Sequence, residues 1–293
     1  MSCRDGLLLL DKPAGLTSNA VLQRAKRLLS SKKAGHTGSL DPIATGLLIL
    51  LFGEATKVSD YILNADKSYR VTLRLGQITA TGDSEGEVLE DRSVAVSEAQ
   101  VRVVLPRFLG EIAQIPPMYS AIKQGGRPLY ELARKGLEVE RAARRIRIDA
   151  LELISLENDR LLLDVRCSKG TYIRSLAVDI GAALGCGAHV EGLRRTSTGP
   201  FDVAQALTLE TLADALERGE CPLKAMDLAL GYLPSVTLTE HTAYYLRQGQ
   251  GVVVAHAPSF GRIRLYGPGE QFLGLGEVMD DGRVAPRRLM RVD

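Results

Sequence analysis

The sequence predicts an α/β (α+β) protein in which helices flank a central sheet and a small β-barrel follows near the C-terminal end. Residues 69–75 alternate strictly between apolar and polar side chains, the period of a strand with one buried face. Residues 19–29 instead carry apolar side chains at helical spacing. Beyond residue 250, short strand-like runs are separated by Gly, Pro and Asp, a pattern typical of small barrels.

The composition excludes several classes of protein. The chain has 293 residues, 45% hydrophobic content and a net charge of +2, which suits a packed core and a nearly neutral surface. We expect a soluble, cytoplasmic protein, because no leader or membrane-length apolar segment is predicted. The cysteines at 3, 167, 186 and 221 form no CxxC pair and are interpreted as free buried thiols. The four histidines are too dispersed to propose a metal.

Caps, turns and periodicity define the predicted elements in order. In the first half they are a strand over 6–10, a helix over 19–29 capped by Ser18, a strand over 47–52, a helix over 54–65, the strand over 69–75, a polar loop or hairpin over 77–92 and a helix over 96–109. In the second half they are a helix from 127 to Gly136, strands over 146–155 and 161–167, helices ending at Leu184 and Leu216, and short strands over 252–254, 263–266, 272–278 and 287–290.

Asp41 is a single carboxylate in a basic neighbourhood. No acidic residue lies between Asp11 and Asp41, whereas six cations do. Pro42 restricts the backbone at Asp41, so the carboxylate lies on a stiff segment of chain ahead of an apolar strand.

A second basic stretch covers 123–147, and two such patches suit the binding of a phosphate backbone. The alternatives are a simple Asp-Pro turn and solvated helical faces.

Six short strings carry a resemblance that extends over most of the chain. They are Gly-His-Thr-Gly-Ser-Leu-Asp-Pro at 35–42, Gly-Glu-Ala-Thr-Lys at 53–57, Asp-Lys-Ser-Tyr-Arg at 66–70, Pro-Pro-Met-Tyr-Ser-Ala at 116–121, Lys-Gly-Thr-Tyr-Ile-Arg at 169–174 and Leu-Arg-Arg-Thr at 193–196. In this order they resemble the motifs of the bacterial tRNA pseudouridine synthase B family.

The resemblance implies both an architecture and a reaction. The expected fold has a mixed, largely antiparallel central sheet. A catalytic domain would cover 1–233, with a mobile RNA-binding insertion at 124–145, and a PUA-like RNA-binding domain would cover 234–293. The implied reaction converts uridine to pseudouridine at position 55, in the T stem-loop of tRNA, after the nucleotide is flipped out. The resemblance implies no cofactor, metal, membrane or protein partner, and we expect a monomer.

The resemblance also assigns roles to particular residues. Asp41 would break and re-form the glycosidic bond, Tyr69 would lie against the uracil and assist proton transfer, and Arg174 would pair with Asp41. The expected substrate contacts, besides Tyr69, are His36, Tyr172, Leu193, Arg195, Lys12 and Lys57, the two lysines as phosphate contacts. The alternatives, judged by position alone, are an aromatic core residue for Tyr69, a solvated surface arginine for Arg174 and a structural histidine for His36.

Two other classes of function stay open at the level of sequence. The basic patches alone fit a tRNA-binding folding factor in which catalysis is secondary or absent. The chain also fits a catalytically idle scaffold of a ribonucleoprotein, although no long extension for partners is evident. Only the combination of Asp41, Tyr69 and Arg174 favours an enzyme.

Overall fold

The computed structural model describes residues 3–291 of the chain. In this part the strands are β1 (Gly6–Lys12), β2 (Ala34–His36), β3 (Thr45–Phe52), β4 (Lys67–Leu75), β5 (Gln77–Thr79), β6 (Val88–Asp91), β7 (Gly110–Gln114), β8 (Lys123–Gln124), β9 (Arg127–Pro128), β10 (Arg144–Glu157), β11 (Arg160–Cys167), β12 (Ala188–Thr198), β13 (Phe201–Asp202), β14 (Ser235–Thr237), β15 (Gly261–Tyr266), β16 (Phe272–Val278) and β17 (Val284–Leu289). The helices are α1 (Ser18–Leu28), α2 (Ser59–Leu63), α3 (Glu98–Val104), α4 (Leu129–Ala133), α5 (Ile173–Leu184), α6 (Leu209–Glu217) and α7 (Glu240–Arg247).

The central sheet has nine strands and is mixed but largely antiparallel, as predicted. Its main order is β1-β3-β12-β4-β11-β10-β7, with β2 beside β3 and β13 beside β12. The pairing of β3 with β12 is parallel and the other pairings in this sheet are antiparallel. The sheet therefore brings the chain segments around Asp41, Tyr69 and Leu193 onto neighbouring strands.

β1 and β3 are apolar throughout because both of their faces are covered. Leu8, Leu10 and Leu48 face the main core with α1 and α5. Leu7 and Leu9 face a second cluster on the reverse side, which also includes residues from the C-terminal end of the chain. A strand buried on both faces reads as a continuous hydrophobic run.

Gly46 permits the close parallel pairing of β3 with β12. Its φ is +99°, and a Cβ atom added there would lie 2.2 Å from the carbonyl oxygen of Arg195. Only glycine fits this approach without a shift of the backbone. The pairing places Arg195 directly beside the chain that leads out of the Asp41 loop.

The C-terminal strands form an open sheet with its own core. Its order is β14-β15-β16-β17, and α7 contributes Ala243 and Leu246 to the cluster beneath it. Within residues 3–291 the outer strands β14 and β17 do not pair with each other, so a closed barrel is not seen. The predicted strand over 252–254 is replaced by a single bridge between Val252 and Val284. A small β unit is present, in an open form.

Several elements differ from the prediction for local reasons. β12 was not predicted as a strand because Gly192 and two consecutive arginines interrupt its alternation. β7, β14 and α7 were also missed. The helix predicted over 54–65 begins as a 3₁₀ turn over 53–58 and continues as α2. Thr17, rather than Ser18, caps α1, because the Thr17 side chain accepts a hydrogen bond from the Ala20 amide.

The prediction that all four cysteines are free is wrong for two of them. Cys3 and Cys221 form a disulfide, with their Cα atoms 5.4 Å apart. The two segments meet because the Leu7 and Lys224 amides donate to each other's carbonyl groups, at 2.9 and 2.8 Å. Cys3 and Cys221 are 218 residues apart in the sequence, so no local pattern predicts that they meet. Cys167 and Cys186 are free and buried, as predicted. Among residues 3–291 no helix is both long enough and apolar enough to cross a bilayer.

Candidate active site

A cavity of about 560 Å³ lies at the edge of the central sheet, where the Asp41 loop meets the N-terminus of α5. Six of the predicted site residues line it, and they are Asp41, Tyr69, Tyr172, Arg174, Leu193 and Arg195. Tyr130 and Arg134, from the segment predicted as an insertion, also line it. The fold thus collects residues from distant parts of the chain around one concave surface.

Asp41 and Arg174 form an ion pair at this cavity, as the resemblance implied. The Arg174 Nε atom lies 2.9 Å from Asp41 Oδ2, and Nη2 donates to Oδ1 at 3.2 Å. The Arg174 side chain is 7% exposed, whereas that of Asp41 is 37% exposed. Arg174 therefore binds the Asp41 carboxylate from its buried side and leaves part of the carboxylate exposed to the cavity.

Arg174 has further partners that fix its plane. Nη2 donates to the Tyr119 carbonyl at 2.8 Å, and Nη1 donates to the Thr81 carbonyl at 3.3 Å. Nη1 also lies 3.5 Å from Asp83 Oδ2. Asp83 is almost fully buried, and its other oxygen accepts hydrogen bonds from the Thr81 hydroxyl and the Glu85 amide. Arg174 is therefore shared between two carboxylates.

The protonation of Asp41 is set by opposing effects. Burial raises the pKa of Asp41, and Asp83 raises it further, while Arg174 and Lys12 lower it. The net shift is upward, because removal of the carboxylate from water has the largest effect. A raised pKa makes the carboxylate a stronger base and nucleophile, and Arg174 favours its ionised form.

The Asp41 loop is held by side chains that precede it in the sequence. The Leu40 amide donates to Ser18 Oγ at 2.7 Å, and Ser18 Oγ donates to the Leu40 carbonyl at 3.1 Å. Lys12 Nζ donates to the carbonyl groups of Pro13, Pro42 and Ala44, at 2.9, 3.2 and 2.6 Å. These bonds fix the loop on both sides of Asp41.

The two lysines predicted as phosphate contacts occupy other positions. Lys12 is fully buried, and burial lowers the pKa of Lys12 to about 8. Because three carbonyl groups surround its ammonium, Lys12 supports the loop, and its contact with a phosphate stays a prediction. Lys57 donates to the Leu289 carbonyl at 2.7 Å and pairs with Glu54. It lines a separate groove, on the other side of α2.

Tyr69 and Arg195 form the floor of the cavity. Burial raises the pKa of the Tyr69 hydroxyl, and the positive charge of Arg195 opposes this shift. Arg195 is 1% exposed, with Nε donating to the Leu47 carbonyl at 2.6 Å and Nη2 to that of Gly38 at 3.2 Å. Arg195 therefore braces the glycine turn before Asp41 and adds positive potential beneath the tyrosine.

His36 and Tyr172 differ in their access to the cavity. His36 lies on β2, half-buried and outside the cavity lining, and its Nδ1 atom has no hydrogen-bond partner. Burial lowers the pKa of His36, and Arg195 lowers it further, so the ring is neutral at pH 7. Tyr172 does line the cavity, just before α5.

Sequence reasoning missed several residues of the site. The Gln114 side chain donates to the Tyr172 carbonyl at 3.0 Å and accepts from the Tyr172 amide at 2.8 Å, which fixes the start of α5. Asp83 and Glu85 line the cavity near Asp41. They belong to a polar stretch of sequence, and only the burial of Asp83 distinguishes it from a loop carboxylate. Among residues 3–291 no cluster of ligating side chains suits a metal.

Family models match nearly all of the described chain. Residues 26–173 match the model of the TruB family pseudouridylate synthase N-terminal domain. Residues 174–230 match the tRNA pseudouridylate synthase B C-terminal domain, and residues 234–290 match the model named pseudouridine synthase II TruB, C-terminal. These matches include the segments that carry Asp41, Tyr69 and Leu193, and they define the chain as a pseudouridine synthase.

Individual relatives agree with this class. The chain is 54% identical to tRNA pseudouridine synthase B of Stutzerimonas stutzeri, over 98% of this chain and 95% of the relative. It is 55% identical to tRNA pseudouridine synthase B of Pseudomonas putida, with the same coverage. A chain from the crystal structure of a Cbf5-Nop10-Gar1 complex is similar in fold, with a TM-score of 0.75, 28% identity and coverage of 99% and 85% of the two chains. The protein belongs to the TruB family of pseudouridylate synthases.

Ser18 provides a test of how the loop positions Asp41. Ser18→Ala leaves the Leu40 amide and carbonyl without their buried partner, so we expect a loss of about 1–3 kcal/mol in the free energy of unfolding and a lower turnover number. Thr17→Ala is the matched control, because it removes the cap of α1, at about 1 kcal/mol, without touching the loop. Urea unfolding and single-turnover pseudouridine formation measure the two effects. Equal turnover in both variants would contradict a positioning role for Ser18.

Proposed function

We propose that the chain isomerises uridine 55 in the T arm of tRNA, with Asp41 as the essential carboxylate. The family's reaction, conversion of uridine to pseudouridine in tRNA, is the reaction of this chain. The observation that carries the assignment to Asp41 is its ion pair with the buried Arg174 at the wall of a cavity. A carboxylate that is paired with a buried arginine and partly open to a cavity of about 560 Å³ is placed for covalent or electrostatic catalysis.

The chemistry requires one bond to break and another to form. The N1–C1′ bond of uridine is cleaved, the uracil turns within the cavity, and C5 bonds to C1′. The proton on C5 then leaves and N1 gains a proton, so the product is an isomer of the substrate. The Asp41 carboxylate can add to C1′ of the ribose or to C6 of the base. Both routes need a carboxylate oxygen that faces the substrate, and neither needs a redox cofactor.

Tyr69 and Leu193 are proposed as the walls that hold the flipped base. Tyr69 is 8% exposed and Leu193 is 9% exposed, yet both line the cavity. An aromatic face against a uracil supplies stacking, which compensates for the stacking lost when the nucleotide leaves the RNA loop. The Tyr69 hydroxyl, above Arg195, is proposed as the group that moves a proton during the reaction.

Residues 124–145 are proposed as the segment that closes over the RNA arm. Tyr130 and Arg134 line the cavity, and the Arg134 guanidinium lies 5.4 Å from the centre of the Tyr130 ring. Arg144 and Arg145 are exposed at the start of β10, where they can contact phosphates. Tyr172, at the cavity, and His36, on β2 outside its lining, are proposed as further supports of the RNA substrate. The C-terminal unit, 234–293, is proposed as a PUA-like RNA-binding domain that follows a catalytic domain over 1–233.

Asp41→Asn tests the catalytic assignment. The amide keeps the size of the side chain but removes the charge and the nucleophilic oxygen, so we expect near-complete loss of pseudouridine formation. RNA binding should persist, because phosphate contacts supply most of the affinity. Single-turnover assays on T-arm RNA and on whole tRNA, with mapping of the modified position, measure the outcome. A folded Asn variant that still forms pseudouridine would end the role of Asp41, and modification elsewhere than position 55 would end the T-arm assignment.

Tyr69→Phe separates stacking from proton transfer. The ring is retained and the hydroxyl is lost, so T-arm RNA should bind with nearly unchanged affinity while the single-turnover rate falls by roughly 10²–10⁴-fold. Tyr69→Leu is the comparison variant, since it removes the aromatic face as well and should weaken both binding and turnover. Wild-type turnover in the Phe variant would restrict Tyr69 to a wall of the cavity.

A further inference from the structure

A second concave surface lies on the other side of α2 from the catalytic cavity. It encloses about 720 Å³, within the range of roughly 300–1,000 Å³ that is typical of ligand sites. One wall is formed by α2 and the turn before it, and the other by the C-terminal sheet and the chain that leads to it. We call this surface the joint groove, and the residues that matter here are Lys57, Tyr61, Tyr232, Arg262, Arg287 and Arg288.

Two tyrosine rings face the joint groove. Tyr232 is 68% exposed, although it belongs to a segment that packs between two sheets. Its ring is therefore available for a ligand. Tyr61 lies on the opposite wall, where Arg262 Nη1 donates to its hydroxyl at 2.8 Å and the guanidinium lies 5.9 Å from the ring centre. An aromatic ring that is left in water beside an arginine is a typical stacking platform for a nucleobase.

The groove also carries an excess of positive charge. Arg287 Nε contacts Glu277 at 2.6 Å, and Glu277 lies opposite Arg262 in the pairing of β15 with β16, so it is the carboxylate near both arginines. Arg288 is exposed and makes no side-chain hydrogen bond or ion pair within residues 3–291. Lys57 pairs with Glu54, and Asp60 is the acidic residue that lines the groove in the described part of the chain. Four cations thus face three carboxylates in or beside the groove.

The joint groove is physically coupled to the catalytic cavity. Leu63, at the end of α2, lines the cavity, whereas Asn64 lines the groove. Lys67 Nζ fixes the turn between them by donating to the carbonyl groups of Leu63 and Ala65, at 3.0 and 2.6 Å. The Asn64 side chain also accepts from Lys169, in the loop that carries Tyr172. The two surfaces are therefore separated only by the end of α2 and the turn that follows it.

We propose that the joint groove binds a single-stranded segment of the RNA substrate, separate from the nucleotide that enters the catalytic cavity. A base stacks on Tyr232, and the adjoining phosphates contact Arg288 and Arg262. Stacking accepts any base, and the cations follow the backbone, so this contact adds affinity without sequence preference. The inference rests on the proposed function, because it takes RNA as the substrate.

The test compares two RNA probes and two substitutions on the wall formed by the C-terminal sheet and the chain that leads to it. Tyr232→Ser and Arg288→Glu should each weaken binding of full-length tRNA by at least about fivefold, and Arg288→Glu should flatten the salt dependence by about 0.7 in the log–log slope. Both variants should bind an isolated T-arm hairpin, and modify it in a single turnover, as the wild type does. Tyr232→Phe should restore binding of tRNA, because the ring is retained.

Controls on the same unit distinguish the groove from general RNA attraction. Phe260→Ser removes a side chain that is 82% exposed, and Arg247→Glu reverses an exposed charge, and neither residue lines the groove. Melting curves verify that each variant is folded. Unchanged tRNA affinity in the groove variants, or equal losses with tRNA and hairpin, would overturn the proposal. The affinity measurements require no turnover, so they test the groove independently of catalysis. Failure of the wild type to modify the hairpin would instead refute the proposed function.

Discussion

Arg174 extends from the first turn of α5 into a nearly water-free region, where its guanidinium meets groups from three separate segments. They are the Asp41 carboxylate, the Thr81 carbonyl with the Asp83 carboxylate, and the Tyr119 carbonyl. A cation at the N-terminus of a helix is unfavourable, and burial adds a further cost. The position is stable only because the planar guanidinium satisfies all of these acceptors together. The catalytic cavity is therefore organised around one buried charge.

The supports around this charge explain why the site is rigid. Ser18 and Lys12 bind the backbone beside Asp41, Arg195 braces the turn that precedes it, and Gln114 fixes the chain that leads into α5. Each support comes from a different strand or helix of the main core or from its edge. Because the supports are buried, loss of one is expected to displace the candidate catalytic groups as well as to lower the stability. Small displacements of this kind reduce catalysis strongly.

The family resemblance predicted the candidate catalytic residues better than the residues that support them. The isolation of Asp41 among cations and the following Pro42 marked the loop but left a simple turn open, and the roles of Asp41 and Tyr69 came from the family resemblance. The roles of Asp83 and Gln114 depend on contacts across 58 or more residues of chain, which no local pattern encodes. The support that Lys12 gives the loop was missed for a related reason, since a lysine in a turn sequence gives no sign that three carbonyl groups will enclose it. The Cys3–Cys221 disulfide likewise follows from strand pairing and not from spacing.

Arg174→Lys tests most directly whether the planar geometry of the guanidinium, beyond its charge, organises the cavity. Lysine keeps the positive charge but presents a single ammonium, which cannot reach Asp41, Asp83 and two carbonyl groups together. The measurement is the single-turnover rate of pseudouridine formation on T-arm RNA, at saturating protein and beside an affinity measurement. We expect at least about a hundredfold loss of rate with RNA affinity retained. A folded lysine variant with the wild-type rate would contradict it.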